Sequence, residues 1–209
     1  MLFRSAIAEE TKRTTTSGGD AASSGMISLY GIQRDIRQSG YGINDSKIIG
    51  CNVTLRSGVT LNSMAPVTIN HASIPAGDTN TDTLLVVYAN TNGSPQGDGI
   101  TSQSATNTYV VQTPSAFSTN EYVIAAPQTR ASPCNLTLDR VVSTNLATQS
   151  VTVTTGVASM SNGTLFNLGL SPKIYAYAIR SGNLTQCDFV TNNCASSALT
   201  TDKIGRAHV

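Results

Sequence analysis

From Lys47 onward the chain breaks into short apolar or alternating runs, each cut off within a few residues by Gly, Pro, Asn or Asp. Runs of that length and punctuation predict strands. The predicted strands are 47–55, 67–71, 82–89, 107–112, 121–126, 134–142, 150–155, 163–167, 173–180 and 184–190. Leu84-Leu85-Val86-Val87-Tyr88 is a continuous apolar run, the pattern of a central strand buried on both faces. Ile174, Ala176 and Ala178 alternate with Tyr175, Tyr177 and Ile179, and Ser181-Gly182-Asn183 then turns the chain into a hairpin. The short strands over about 105–167 predict a small β-rich insert between the 82–89 strand and that hairpin. No repeat of fixed period is visible.

Only residues 20–38 carry a helical period. Ala22, Met26, Leu29, Ile32 and Ile36 fall near one face, Asp20 suits the N-cap, and Gly40 and Gly42 can end the helix at positive φ. Arg34 and Arg37 sit in the last turns, where cations suit the helix dipole. Gly25 and Gly31 each cost roughly 1 kcal/mol relative to Ala, so the helix needs tertiary support. The expected fold is therefore α+β: one N-terminal amphipathic helix packed on a mainly antiparallel β-sheet, with the β-rich insert added. Residues 6–19 read as a polar connector into the helix.

The two ends read differently from the rest. Met1-Leu2-Phe3-Arg4-Ser5 corresponds to GTG-CTC-TTC-CGA-TCT with a GTG start, and Ile204-Gly205-Arg206-Ala207-His208-Val209 to ATC-GGA-AGA-GCA-CAC-GTC. The two stretches of DNA are nearly reverse complements and match a sequencing adaptor. The expectation is a fragment truncated at both ends, with 1–5 and 204–209 non-native and 196–203 a tail after a domain spanning 20–195. Setting Arg4 and Arg206 aside changes the formal charge from +1 to −1 and leaves His71 as the one native histidine.

Only 12% of residues are charged, about half the usual share, and Ser, Thr, Asn and Gly fill the surface instead. That balance suits an exported β-rich protein. Without a basic stripe it argues against nucleic-acid binding. It also gives no electrostatic handle on a membrane surface, and no run of 18 apolar residues is present.

Cys51, Cys134, Cys187 and Cys194 form no C-x-x-C pair, so structural zinc and thioredoxin-like chemistry are poorly supported and disulfides are expected. Cys187 and Cys194 enclose a short segment that can close between adjacent strands. Cys51 with Cys134 follows by elimination, unless a cysteine beyond the fragment takes one of them. A reducing compartment would leave four free thiols.

Catalytic chemistry has little to draw on. His71 stands in Thr68-Ile69-Asn70-His71-Ala72 with no nucleophile elbow or comparable motif, and reads as a surface or turn histidine. Asn90 to Gly99 could offer oxygens to calcium but carries a single carboxylate, so it reads as a plain loop suited to partner contact. The glycine-rich stretches at 17–19 and 93–99 match no phosphate or dinucleotide fingerprint. The sequons at Asn52, Asn135, Asn162 and Asn183 read as a product of composition. No enzyme activity, metal or cofactor is expected.

Arg34-Asp35-Ile36-Arg37-Gln38-Ser39-Gly40-Tyr41-Gly42 resembles the RDIR-x-(A/S)-GY-x signature of PilW-type minor pilins. The likeness extends through Arg13 to Ala21, Ile49 to Asn52, Asp82 to Tyr88, Val123 to Ala125, Phe166 to Gly169 and Ala176 to Asp188, roughly residues 12 to 195. The resemblance implies a pilin-like fold and a precursor whose leader is cleaved ahead of a hydrophobic helix. It implies residence at the inner membrane and its periplasmic face before assembly, and in the pilus fibre afterwards. The function implied is non-enzymatic initiation and assembly of a type IV pilus, in a tip complex with other minor pilins and a tip adhesin. The membrane is then met only through the missing N-terminal helix. Absence of the family's C-terminal segment would leave an exposed edge strand. The same plan serves minor pseudopilins of type II secretion. A secreted β-rich adhesin or carbohydrate-binding module would want an aromatic-lined groove, against which stand 5% aromatics and no tryptophan. A hydrolase would have to use His71.

Overall fold

The computed structural model describes residues 2–196 and 202–206. One helix, α1 (Leu2–Gln38), is followed by β1 (Asn52–Thr54), β2 (Thr60–Leu61), β3 (Val67–Ile69) and β4 (Leu84–Tyr88). Then come β5 (Asp98–Ala105), β6 (Thr108–Val111), β7 (Tyr122–Ala126), β8 (Asn135–Asn145), β9 (Ser150–Val153) and β10 (Thr164–Gly169). The chain continues through β11 (Lys173–Arg180), β12 (Asn183–Asp188) and β13 (Asp202–Arg206).

Strands β5 to β10 close into a six-stranded antiparallel barrel in the order β8-β7-β10-β5-β6-β9, with β9 returning to β8. Outside it, β1 pairs in parallel with β8, and β2 pairs with β1. A second, antiparallel sheet runs β13-β12-β11-β4-β3. Alternation along each strand builds two cores from one wall. On β7, Val123 and Ala125 face the barrel lumen beside Tyr109 and Val151, while Ile124 and Ala126 face the second sheet. On β10, Leu165 points in and Phe166 and Leu168 point out. Between the sheets they meet Leu85 and Val87 of β4, Ile174 and Ala176 of β11, and Phe189. The β4 run is therefore buried on both faces, because Val86 and Tyr88 on its far side pack with Tyr177 and Ile32 of α1.

This overturns the α+β expectation of an amphipathic helix packed over a single sheet. The chain is mostly β, and the segment read as a small insert is a closed barrel with further strands attached. Nor does the apolar stripe pack: Met26 is 66% and Leu29 67% exposed, Ile36 is exposed too, and only Ile32 is half-buried. The residues facing the sheet are Ser28, Ile32 and Asp35, a line rotated from the stripe. The sheet surface below is rich in tyrosine hydroxyls, which need an acceptor more than another methyl group. A hydropathy period assigns such an acceptor to solvent.

Three further differences are local. Residues 6–19, read as a polar connector, are helical and part of α1. The stretch 47–51 is a turn, with Asp45 accepting from the Lys47 N–H at 2.8 Å, so β1 starts later than predicted. The edge of β12 is occupied by β13, which includes Ile204 to Arg206. Among the described residues no helix is long and apolar enough to cross a membrane.

The β1–β8 pair carries a likeness that a search for periodicity passes over. Cys51-Asn52-Val53-Thr54-Leu55 and Cys134-Asn135-Leu136-Thr137-Leu138 lie side by side in register, Asn52 with Asn135, Val53 with Leu136 and Thr54 with Thr137. Asn52 Nδ2 donates to Asn135 Oδ1 at 2.9 Å, and Cys51 and Cys134 are bridged across a Cα separation of 4.8 Å.

Candidate functional site

The segment resembling the pilin signature forms the junction between α1 and the β-structure. Asp35 is 1% exposed and sits over β4 and β11. Tyr88 Oη donates to its Oδ1 at 3.0 Å and Tyr177 Oη to its Oδ2 at 2.5 Å, while Gln186 Nε2 donates to Tyr177 Oη at 2.9 Å. Arg34 donates to Oδ1 through Nε and Nη2, each at 3.2 Å. That hydrogen bond, then the charge attraction, raises the Arg34 pKa. Burial first, and then the neighbouring carboxylate, pushes both phenols well above the ordinary tyrosine value. Tyr175 packs edge-on against Tyr88 and Tyr177, with ring centres 6.5 and 6.2 Å away.

The glycines that follow continue the sheet. Gly40 N–H donates to Val87 O at 3.0 Å and Ala89 N–H to Tyr41 O at 2.8 Å, so this segment runs beside the end of β4. Gly42 has φ +71°, and a Cβ there would lie 2.5 Å from Ala89 Cβ. Tyr41 Oη donates to Thr91 O at 3.0 Å, tying the signature to the loop after β4. Of the six signature residues, Arg34, Asp35, Gly40 and Tyr41 make these contacts, while Ile36 is exposed and Arg37 opens onto a groove.

That groove, about 540 Å³, separates the end of α1 from the loop, with Arg37, Gln38 and Tyr41 on one side and Asn90, Thr91 and Asn92 on the other. A second cleft of about 290 Å³ opens at the end of the barrel over Phe117 and Leu165, and Asn92 borders both. The loop read from sequence as a place for partner contact thus has a concavity on each side. Its one carboxylate, Asp98, accepts from the Thr113 N–H at 2.6 Å. Among the described residues no three His, Cys, Asp or Glu side chains gather as a metal-binding group.

His71 is not a surface residue. It is 6% exposed, its Nδ1 accepts from the Ser73 N–H at 3.1 Å, and its Nε2 lies 2.8 Å from Asn62 O. With Nδ1 accepting, Nε2 carries the proton and donates to that carbonyl. Both nitrogens are engaged with the main chain, which leaves this imidazole holding a turn and without a lone pair for a substrate.

The cysteines pair as Cys51–Cys134 and Cys187–Cys194, and no cysteine is free among the described residues. The first bridge joins the turn before β1 to the start of β8; the second closes the segment after β12. Two disulfides in one domain point to an oxidising, extracytoplasmic environment.

Sequence reasoning missed Tyr88 and Tyr177 as the donors to Asp35, and Gln186 as the donor to Tyr177. The available signal was two tyrosines on neighbouring predicted strands, each of which would need an acceptor once buried. Comparison with known proteins returns no matching family model, no matching curated protein and no matching solved structure.

Proposed function

We propose that this chain is a non-enzymatic subunit of an extracytoplasmic fibre, a minor pilin of the PilW type acting in initiation or assembly of a type IV pilus. The observation that carries the reading is the convergence of the signature at one place. Asp35, Gly40, Tyr41 and Gly42 all serve to hold α1 at a set angle to the β-structure. A motif spent on orienting a helix suits a protein that works by shape. Two observations support the setting: the paired disulfides fit the periplasm, and Met26, Ile27, Leu29 and Tyr30 leave an apolar surface on α1 for neighbouring helices. Its partners would be other pilin-like subunits and a tip adhesin. The reading rests on this junction and not on a pilin fold.

The test places cysteine at Met26 or Leu29 in the gene's own host and cross-links cells before shearing. Cross-links to subunits that carry prepilin leaders, and the chain in sheared surface fibres, are the expected outcome. Cross-links to such subunits with the chain confined to the periplasm would shift the assignment to a secretion pseudopilus. No cross-link to any prepilin-type subunit would overturn the reading.

A further inference from the structure

We propose that the groove between the end of α1 and the loop after β4 binds a carboxylate side chain presented on a peptide segment of a partner protein, with Arg37 as the cation. The inference concerns a different surface from the apolar side of α1 and does not depend on the assignment to a pilus.

The first argument is the state of the arginines. Arg34 is committed to Asp35, and Arg56 lies 3.7 Å from Asp139. Arg130 donates to Ser46 O and Ile49 O, Arg140 to Asn120 O, and Arg180 to Ala76 O and Pro75 O. Arg37 alone of these six has no carboxylate or carbonyl partner among the described residues, and it borders a groove with no Asp or Glu in its lining. No acidic side chain therefore neutralises it where a ligand would sit.

The second argument is the supply of neutral donors beside it. The carboxamides of Gln38 and Asn92 make no hydrogen bond among the described residues. Asn90 accepts from the Ser171 N–H through Oδ1 at 3.0 Å, and its NH2 group makes no hydrogen bond among the described residues. One guanidinium and three amide groups around one concavity match the lone pairs of a carboxylate. Of the helix-terminal carbonyls, Ile36 O accepts from Ser39 N and Oγ, and Gln38 O from the Tyr41 N–H.

Shape chooses the carrier. The groove, about 540 Å³, is far larger than a small ion, and Tyr41 is 45% exposed and anchored through its hydroxyl to Thr91 O. An extended peptide can lay its backbone across that ring and direct one acidic side chain to Arg37. A single exposed ring is a poor platform for a sugar, and one cation is few for a nucleic-acid backbone.

The test is amide and side-chain NMR of the intact chain titrated with the blocked peptides Ac-Ala-Glu-Ala-NH2 and Ac-Ala-Gln-Ala-NH2. The glutamate peptide should move the signals of Gln38, Tyr41, Asn90 and Asn92, and the glutamine peptide should bind roughly tenfold more weakly, as loss of a charge-assisted bond requires. Arg37→Gln should bring the glutamate peptide down to the glutamine level, and Arg37→Lys should retain part of the difference. Arg37 is exposed, so unchanged spectra elsewhere show that these variants fold. Equal binding of the two peptides, binding untouched by Arg37→Gln, or no movement of these signals would overturn the proposal. So would glucuronate moving the same signals at lower concentration than the peptide, which would mark the groove as a site for acidic sugars.

Discussion

Asp35 and Tyr177 are 142 positions apart in the chain and 2.5 Å apart in space, carboxylate oxygen to phenol oxygen. With Tyr88 on the other carboxylate oxygen, a single side chain of α1 joins β4 and β11, neighbouring inner strands of the five-stranded sheet. Against β4 and β11 the helix adds Ile32, and it also lies beside β13.

Asp35→Ala should therefore cost about 3 kcal/mol in urea unfolding, because two buried hydroxyls lose a charged acceptor together. Asp35→Asn keeps one carbonyl oxygen and should cost about half as much. A loss below about 1 kcal/mol for the alanine variant would mean that α1 is held by something other than this carboxylate.

Acid should loosen the hairpin between β11 and β12 late. Asp78 accepts from Ser181 N–H at 2.9 Å and Gly182 N–H at 2.8 Å, and chiefly the Gly182 bond lowers its pKa below the ordinary 3.8. A carboxylate whose folded pKa is depressed stabilises above the unfolded value and loses that contribution as pH falls through the folded one. The Ser181 and Gly182 amide signals should move with a midpoint under 3.8, and Asp78→Asn should flatten that titration. A midpoint at or above 3.8 would count against the turn being held this way.

The two disulfides should differ in worth by their loops. Cys51–Cys134 spans 83 positions and Cys187–Cys194 spans 7. Chain-entropy arithmetic gives about 4.5 and about 2.4 kcal/mol respectively. Denaturant melts of the two double-alanine variants should rank in that order, and a reversed ranking would show that local geometry outweighs loop length.

Gly40 and Gly42 share a positive φ but not their surroundings. A Cβ on Gly40 would meet Pro66 Cγ at 3.4 Å, an ordinary contact, so Gly40→Ala should cost about 1 kcal/mol, for backbone strain alone. At Gly42 the clash with Ala89 Cβ adds to the strain, and Gly42→Ala should cost about 3 kcal/mol or more. Equal costs in thermal melts would refute the close approach.

What the sequence disclosed follows from what each residue needs locally. The 84–88 run and the alternation over 173–180 mark strands because burial leaves a period in the side chains themselves. Barrel closure is absent from such patterns, since β7 meets β10, β10 meets β5 and β6 meets β9 through register across long separations. Strand β5 was hidden because Gly97, Asp98 and Gly99 read as loop, and Ile100 is its single buried apolar side chain. At the candidate site, Arg37 and Tyr41 stood out through the signature, whereas Asn90 and Asn92 read only as loop polarity. Their role as the opposite wall depends on the Tyr41–Thr91 contact, 50 positions apart.

The bridge beside the paired Cys-Asn-x-Thr-Leu segments also decides how the chain would bear tension. Drawn out from α1 and β12, the load meets Cys51 and passes straight to Cys134, bypassing the hydrogen bonds between β1 and β8. The 83 positions between them, about 280 Å of contour, are withheld from extension. Strands β1 to β7 belong to that shielded length. A tethered molecule would lengthen first through α1 and the strands after Cys134, and would keep half of its β-structure off the line of force.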